Sequence, residues 1–342
     1  MLISSVITGT NPKAQMVFIW AIVTFYCSVI LAESTTEVPP IPPGYPDESA
    51  VKTAILLGQI PLINLGSVSI PDGVEEILDI EYGMGGESKL RLNLYLPKDR
   101  TRPTPAILFL HGGGWRSGTR SQMKYYCIKF AENGFITATT SYRLSTEVPF
   151  PAAVHDAKCA IRWLRANAAQ YHIDPDRIVV SGHSAGGHLA MMIGYSDNPS
   201  LEGIGGNDTV SSRVCAVVSF YGPVDLTTDF ATQQGVVRDF MGGKTIDEAR
   251  DMYTVASPLF HLTRDDPPTL IFHGTIDSLV LIEQADRLAK RLTDLGIDHA
   301  YERYEGWPHT MDLAKAVNRR CVYQMTQFLG KYVSGNLMSE SN

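Results

Sequence analysis

The sequence predicts an α/β architecture: a mostly parallel central sheet of about eight strands, helices on both faces and a small helical insertion. Three observations lead there. From residue 106 onward, short apolar runs alternate with stretches of helical periodicity, the pattern of strands buried on both faces and covered by crossover helices. The apolar fraction is 44% against 19% charged residues, enough for one large core and too much for a chain that stays unfolded. Twenty-nine glycines and 20 prolines supply the tight turns that such alternation needs.

In chain order, the first feature is nineteen uncharged residues from Ala14 to Ala32, preceded by Lys13 and ended by Glu33. The run from Met16 is apolar enough to enter a bilayer, and no positively charged flank follows it. A signal peptide over residues 1–32 is therefore expected, cut after Ala32, or after Ser34 with its better small-x-small match. The expected destination is secreted or periplasmic, with no stable membrane insertion after cleavage. A retained anchor is the competing reading, because about 20 apolar residues span a hydrocarbon core. Residues 33–70 read as a linker and extension: PPIPPGYP within 33–47 as solvated extended chain, then a short helix and loop over 48–70. The body is expected over 71–334, and 335–342 as a tail.

Within the body, 74–82 (VEEILDIEY) and 89–96 (KLRLNLYL) alternate as two strands joined by a turn at Gly83 to Gly86. Ala106 to Leu110 is continuously apolar and reads as a strand buried on both faces. Strand 135–141 precedes a helix over about 152–169, with Val154, Ala157, Ile161, Leu164 and Ala168 on one face. Then come strand 177–181, a helix after Ser184, and strand 214–220. Strand 269–273 precedes a helix that turns Ile282, Ala285, Leu288, Leu292 and Leu295 inward and ends at Gly296. Strand 299–304 leads to a last helix carrying Leu313, Val317, Cys321, Met325 and Phe328. Residues 224–267 break this rhythm and are too long for a plain connection. They read as a helical insertion over the carboxyl ends of the strands.

A net charge of −7 offers no basic field for a phosphate backbone, so no nucleic-acid partner is expected. Neither CxxC nor HExxH occurs, and no metal or organic cofactor is expected. Cys127, Cys159, Cys215 and Cys321 are widely spaced in apolar or helical settings, where cysteine serves as a small hydrophobe. A disulfide among them is open, and its connectivity is not readable. The oligomeric state is not readable either.

The chemistry is more specific. Gly182-His183-Ser184-Ala185-Gly186 follows an apolar strand and precedes a helix-compatible run. A nucleophile on so sharp a strand-to-helix turn needs glycine on both sides for the chain to pass closely. Serine needs a base oriented by a carboxylate. His309, in the loop between the last strand and last helix, is the expected base; His183 is expected to be turned away, and His188 packed. Asp277, just past strand 269–273, is the expected acid and is preferred to Asp225, which reads as a turn or cap at the base of the insertion. The oxyanion donors are expected from Gly113 and Gly114 in His111-Gly112-Gly113-Gly114-Trp115, with Ala185. Trp115 and Trp307 are candidates for the substrate pocket.

These motifs, together with SYRL at 141–144, FPAAVHDAKCAIRWL at 150–164 and HGTIDSLV at 273–280, resemble the α/β-hydrolase fold of the esterase/lipase group. They are most similar to secreted acetylxylan and feruloyl esterase-like (BD-FAE-like) carboxylesterases, with kynurenine formamidase-like hydrolases as neighbours. The resemblance spans about 74–330. It implies that Ser184, Asp277 and His309 form a triad and that Gly113, Gly114 and Ala185 form an oxyanion hole. The substrate it implies is a small-molecule or carbohydrate ester, with short acyl or feruloyl esters of plant cell walls as the expected class and formamides as the rival. Leu281 departs from the pattern, since relatives often carry proline there. A binding protein on a degenerate scaffold would have no reason to retain all these groups together.

Overall fold

The computed structural model describes residues 38–65 and 68–334. The expected signal peptide, its cleavage site and the tail at 335–342 lie outside the described residues. Contact density divides the chain into Met1–Pro40 and Ile41–Asn342; the sheet, its helices and the loops between them all belong to the second unit.

Eight strands form one sheet in the order β1-β2-β4-β3-β5-β6-β7-β8. They are β1 (Val74–Gly85), β2 (Ser88–Pro97), β3 (Thr104–Leu110), β4 (Ile136–Thr140), β5 (Ile173–His183), β6 (Ala216–Phe220), β7 (Thr269–Gly274) and β8 (His299–Tyr304). β2 pairs antiparallel with β1 and β4, and every other pairing is parallel. All seven residues of β3 are buried, which is why its sequence is apolar without alternation. Its side chains still divide by parity. Leu108 and Leu110 join the core layer with Ile161, Leu189 and Leu288, whereas Ile107 and Phe109 join Phe130, Val317 and Met325 on the other face.

The first layer is built by helices α3 (Ala152–Ala166), α5 (Ala185–Tyr195) and α9 (Glu283–Leu295), and the second by α2 (Lys124–Glu132) and α10 (Lys315–Leu329). A further helix, α1 (Glu48–Leu56), starts at an Asp47 side chain that accepts the Ala50 N–H. α9 ends where expected, at Gly296 with φ +72°. Several boundaries differ from expectation. The helix expected over 152–169 stops at Asn167, whose side chain donates to the Trp163 carbonyl, and only the single turn α4 (Ala168–Tyr171) follows. β1 and β2 extend inward until only Gly86 and Glu87 remain as the turn. Leu313 lies on a 3-10 turn ahead of α10, not on the helix. Cys127, Cys159, Cys215 and Cys321 are unbridged thiols, with Cys127, Cys159 and Cys321 in the core layers.

The stretch 224–267 is helical: α6 (Asp229–Gln233), α7 (Gly235–Phe240) and α8 (Ile246–Val255) precede a 3-10 turn at Pro258–Phe260. The expectation of a freely solvated proline-rich linker needs correction at its end. Pro42 to Tyr45 has no regular structure, yet the Tyr45 N–H donates to the Gly306 carbonyl at 2.9 Å, and the Tyr45 ring meets Trp307 edge-on at 5.7 Å. An aromatic ring and a free backbone donor suffice to dock an otherwise extended chain.

Candidate active site

The sheet order reverses at β3, with β4 on one side and β5 on the other. The crevice at the carboxyl ends of the strands there is the usual ligand position of an open α/β sheet, and three loops converge on it. β5 runs directly into α5 through Ser184, held at φ +55° and ψ −118°. The glycines on either side are required by space: a Cβ on Gly182 or Gly186 would overlap the carbonyl oxygen of Gly186 or Leu110, respectively. A non-glycine residue at positive φ is strained, and here the strain presents Oγ at the tip of the turn.

The loop after β8 brings His309 Nε2 to 3.0 Å from Ser184 Oγ. The loop after β7 brings Asp277 Oδ2 to 2.6 Å from His309 Nδ1. Asp277 is held in turn: its Oδ1 accepts the N–H groups of Leu279 and Val280, both at 2.9 Å. His273 Nε2 donates to the Val280 carbonyl at 2.8 Å and lies 3.2 Å from Oδ2. Burial alone would raise the Asp277 carboxyl, but the hydrogen bonds it accepts from His273 and His309 outweigh it and leave it at about 2. An ionised Asp277 only accepts, so His309 carries its proton on Nδ1 and turns the Nε2 lone pair toward the serine.

Asp225 is committed elsewhere. Its Oδ1 takes the N–H and hydroxyl of Thr227 and its Oδ2 accepts from Arg287 at 3.1 Å, which fixes the base of the insertion. His183 stacks on Phe220, with centroids 4.2 Å apart. His188 donates from Nε2 to the Ala256 carbonyl and accepts the Trp115 indole N–H at Nδ1; burial pushes it down to about 4, so it is neutral. His111 lies under the glycine loop, stacked on Tyr142 and donating to the Gly112 carbonyl.

Gly113 and Gly114 line the same cavity as Ser184, Ala185 and His309, at φ +109° and +59°. The Gly113 carbonyl takes the N–H groups of Arg116 and Ser117, while among the described residues no acceptor takes the N–H of Gly113 or Gly114. Ala185 opens α5, so its N–H has no intrahelical partner. The cavity holds about 550 Å³, with Leu226, Phe230, Val236 and Val237 from the insertion on its wall and Leu65, Met123 and Leu313 from other elements.

The two tryptophans are placed differently. Trp115 borders the cavity but is 2% exposed; its ring stacks on Phe240 at 4.4 Å and its N–H is spent on His188. Trp307 faces away from the cavity altogether, because its N–H donates to the Pro42 carbonyl and Tyr45 covers its ring. Sequence reasoning missed Asp312, three residues past His309. Its buried carboxylate accepts the hydroxyls of Tyr126 and Tyr221 at 2.6 Å each and lies 3.2 Å from His183 Nε2. Burial opposes its ionisation, but the His183 charge and these hydrogen bonds keep the carboxyl below its ordinary range. Tyr221 in turn packs its ring 4.4 Å from that of His309. Nothing in the local sequence distinguished this aspartate from a surface one.

The sheet order, the strained serine elbow and the histidine and acid loops after β8 and β7 define an α/β-hydrolase. A model of the BD-FAE family matches residues 92–292. The chain belongs to that family. It is 32% identical to esterase LipC of Mycobacterium tuberculosis over 67% of this chain and 59% of the relative. It is 30% identical to a probable isoprenylcysteine alpha-carbonyl methylesterase of Arabidopsis thaliana over 66% of this chain and 49% of that one. The chain thus spans about half to three fifths of the length of these curated relatives. Among solved structures, a truncated carbohydrate esterase from gut microbiota superposes with TM-score 0.67 at 26% identity, covering 76% of this chain and 96% of that one. The native esterase 2 of Thermogutta terrifontis gives 0.68 at 28% identity, covering 81% and 99%.

Proposed function

We propose that the protein is a serine carboxylic-ester hydrolase that acts outside the cytoplasm on short acyl or feruloyl esters of carbohydrate-like alcohols. The observation that carries this reading is the Ser184–His309–Asp277 relay, at 3.0 and 2.6 Å, beside backbone N–H groups left without acceptors. In this reading His309 Nε2 takes the Ser184 proton as Oγ attacks the ester carbonyl. Asp277 holds the imidazolium that forms, and the N–H groups of Gly113, Gly114 and Ala185 receive the oxyanion. His309 then protonates the leaving alkoxide. Water, deprotonated by the same nitrogen, adds to the acyl carbon, and as the acid leaves His309 returns that proton to Oγ. Each step moves one proton through His309 and needs no other group.

Support for short acyl groups comes from the apolar cavity and from the related Thermogutta esterase, which has been solved with butyrate bound at 29% identity. Support for a carbohydrate alcohol comes from the related gut carbohydrate esterase and from the expected export. With Trp307 turned away, the half-buried Phe230 on the cavity wall is the better platform for a feruloyl ring. The deciding comparison is kcat/KM on acetylated xylo-oligosaccharide, methyl ferulate, a C2 to C16 ester series and N-formylkynurenine. Acetyl first and feruloyl next is the expected order. An optimum at C12 or longer, or a preferred formamide, overturns the substrate class.

A further inference from the structure

The segment before β1 touches the loops that carry both the acid and the histidine. At its start, Pro42 and Tyr45 hold Trp307 and Gly306, two and three residues ahead of His309. In α1, Glu48 Oε1 accepts both the N–H and the hydroxyl of Ser278, the residue after Asp277, at 3.2 and 2.5 Å. Further on, Leu62 forms an antiparallel bridge with Ala314. The Ile63 N–H donates to the Leu313 carbonyl, and the Lys315 N–H to that of Pro61, both at 2.8 Å. Val51, Ala54 and Ile60 are buried in the core layer shared with α2 and α10. Leu65 then reaches the cavity wall, where Leu313 and Met123 also stand.

Residues 42–65 lie outside the span 92–292 matched by the family, and through these contacts they brace two of the three loops that meet at Ser184. We propose that this segment is part of the active site: Glu48 is a positioning residue for the Asp277 loop, and Leu65 limits the length of one arm of the ester. The proposal rests on the ester-hydrolase reading. Its physical basis is that Glu48 takes both donors of Ser278, the residue next to Asp277, and that Leu65, 39% exposed at the rim, is an apolar side chain added to the wall from outside the sheet and insertion.

The experiment uses the full chain and two p-nitrophenyl and alkyl ester series, one varying the acyl group and one the alcohol. Leu65→Ala should raise kcat/KM on the longer members of one series about tenfold relative to the shorter ones, the discrimination of about one methylene, and Leu65→Trp should do the reverse. Glu48→Ala should lower kcat about tenfold with little change in KM, as expected for a slightly misplaced acid. Glu48→Gln should restore it, since the amide oxygen still accepts from Ser278. Unchanged chain-length profiles in both series for both Leu65 variants, or a Glu48→Ala loss that Gln does not rescue, overturns the proposal. Labelling of Ser184 by a fluorophosphonate separates the two levels: if the native protein is neither labelled nor active on any ester, the hydrolase reading itself falls.

Discussion

Replacing Asp277 by asparagine should cost about four powers of ten in kcat while leaving the fold in place. Asp277 Oδ1 accepts two backbone N–H groups, from Leu279 and Val280, so an amide at this position keeps its oxygen there and turns its NH₂ toward His309 Nδ1. Two donors then face each other. The imidazole escapes by moving its proton to Nε2, where it donates toward Ser184 Oγ instead of accepting from it. The wrong tautomer in a serine hydrolase is worth about 10⁴ in kcat, or about 5 kcal/mol at 1.36 kcal/mol per tenfold. The stability cost is smaller. The Asp277 carboxyl lies at about 2 in the fold against 3.8 ordinarily, so its ionisation contributes about 2 to 3 kcal/mol. That contribution is fully present above pH 3.8 and is lost as pH falls through about 2. The assay is kcat on a short p-nitrophenyl ester beside a denaturant melt at pH 7, with Asp225→Asn as the comparison. More than a tenth of native kcat in the Asp277 variant, or an inactive Asp225 variant beside an active Asp277 one, refutes the reasoning.

Ser184→Ala should abolish turnover with a thermal midpoint close to native, because it removes one hydroxyl and opens no large cavity; a tenth of native kcat in the pure variant contradicts the assignment. His111 and His188 are held neutral by burial at about 4, against 6.5 ordinarily, so the unfolded chain binds protons that the fold refuses. Stability should therefore decline from about pH 6.5 down to about 4, by about 3 kcal/mol for each histidine. His188→Gln should reduce that decline in a melting series, and a native midpoint unchanged between pH 7 and pH 4.5 disproves it. Expressed from the full-length sequence, the exported protein should begin at Glu33 or Thr35 by amino-terminal sequencing, and intact protein in the membrane fraction would favour an anchor.

What could be read from the sequence divides along the range of the interactions concerned. β3, β6, β7 and the second half of β5 stood out because stretches buried on both faces carry apolar runs without alternation. The glycines about Ser184 could be read because a sharp elbow excludes side chains over only five residues. Trp307 shows where such reading ends. An aromatic residue beside a catalytic loop has the same local signature whether it faces substrate or packs outward, and for Trp307 the deciding partner is Pro42, 265 residues earlier. The same holds for Asp312, whose partners Tyr126, His183 and Tyr221 come from three distant elements. The proline-rich segment fails for a related reason: its composition correctly denies it regular structure, but docking depends on what the rest of the chain offers. Gly306 offers it a carbonyl and Trp307 a ring and an N–H. An extended chain with few internal bonds is well suited to use them, because its own backbone groups are free to pair.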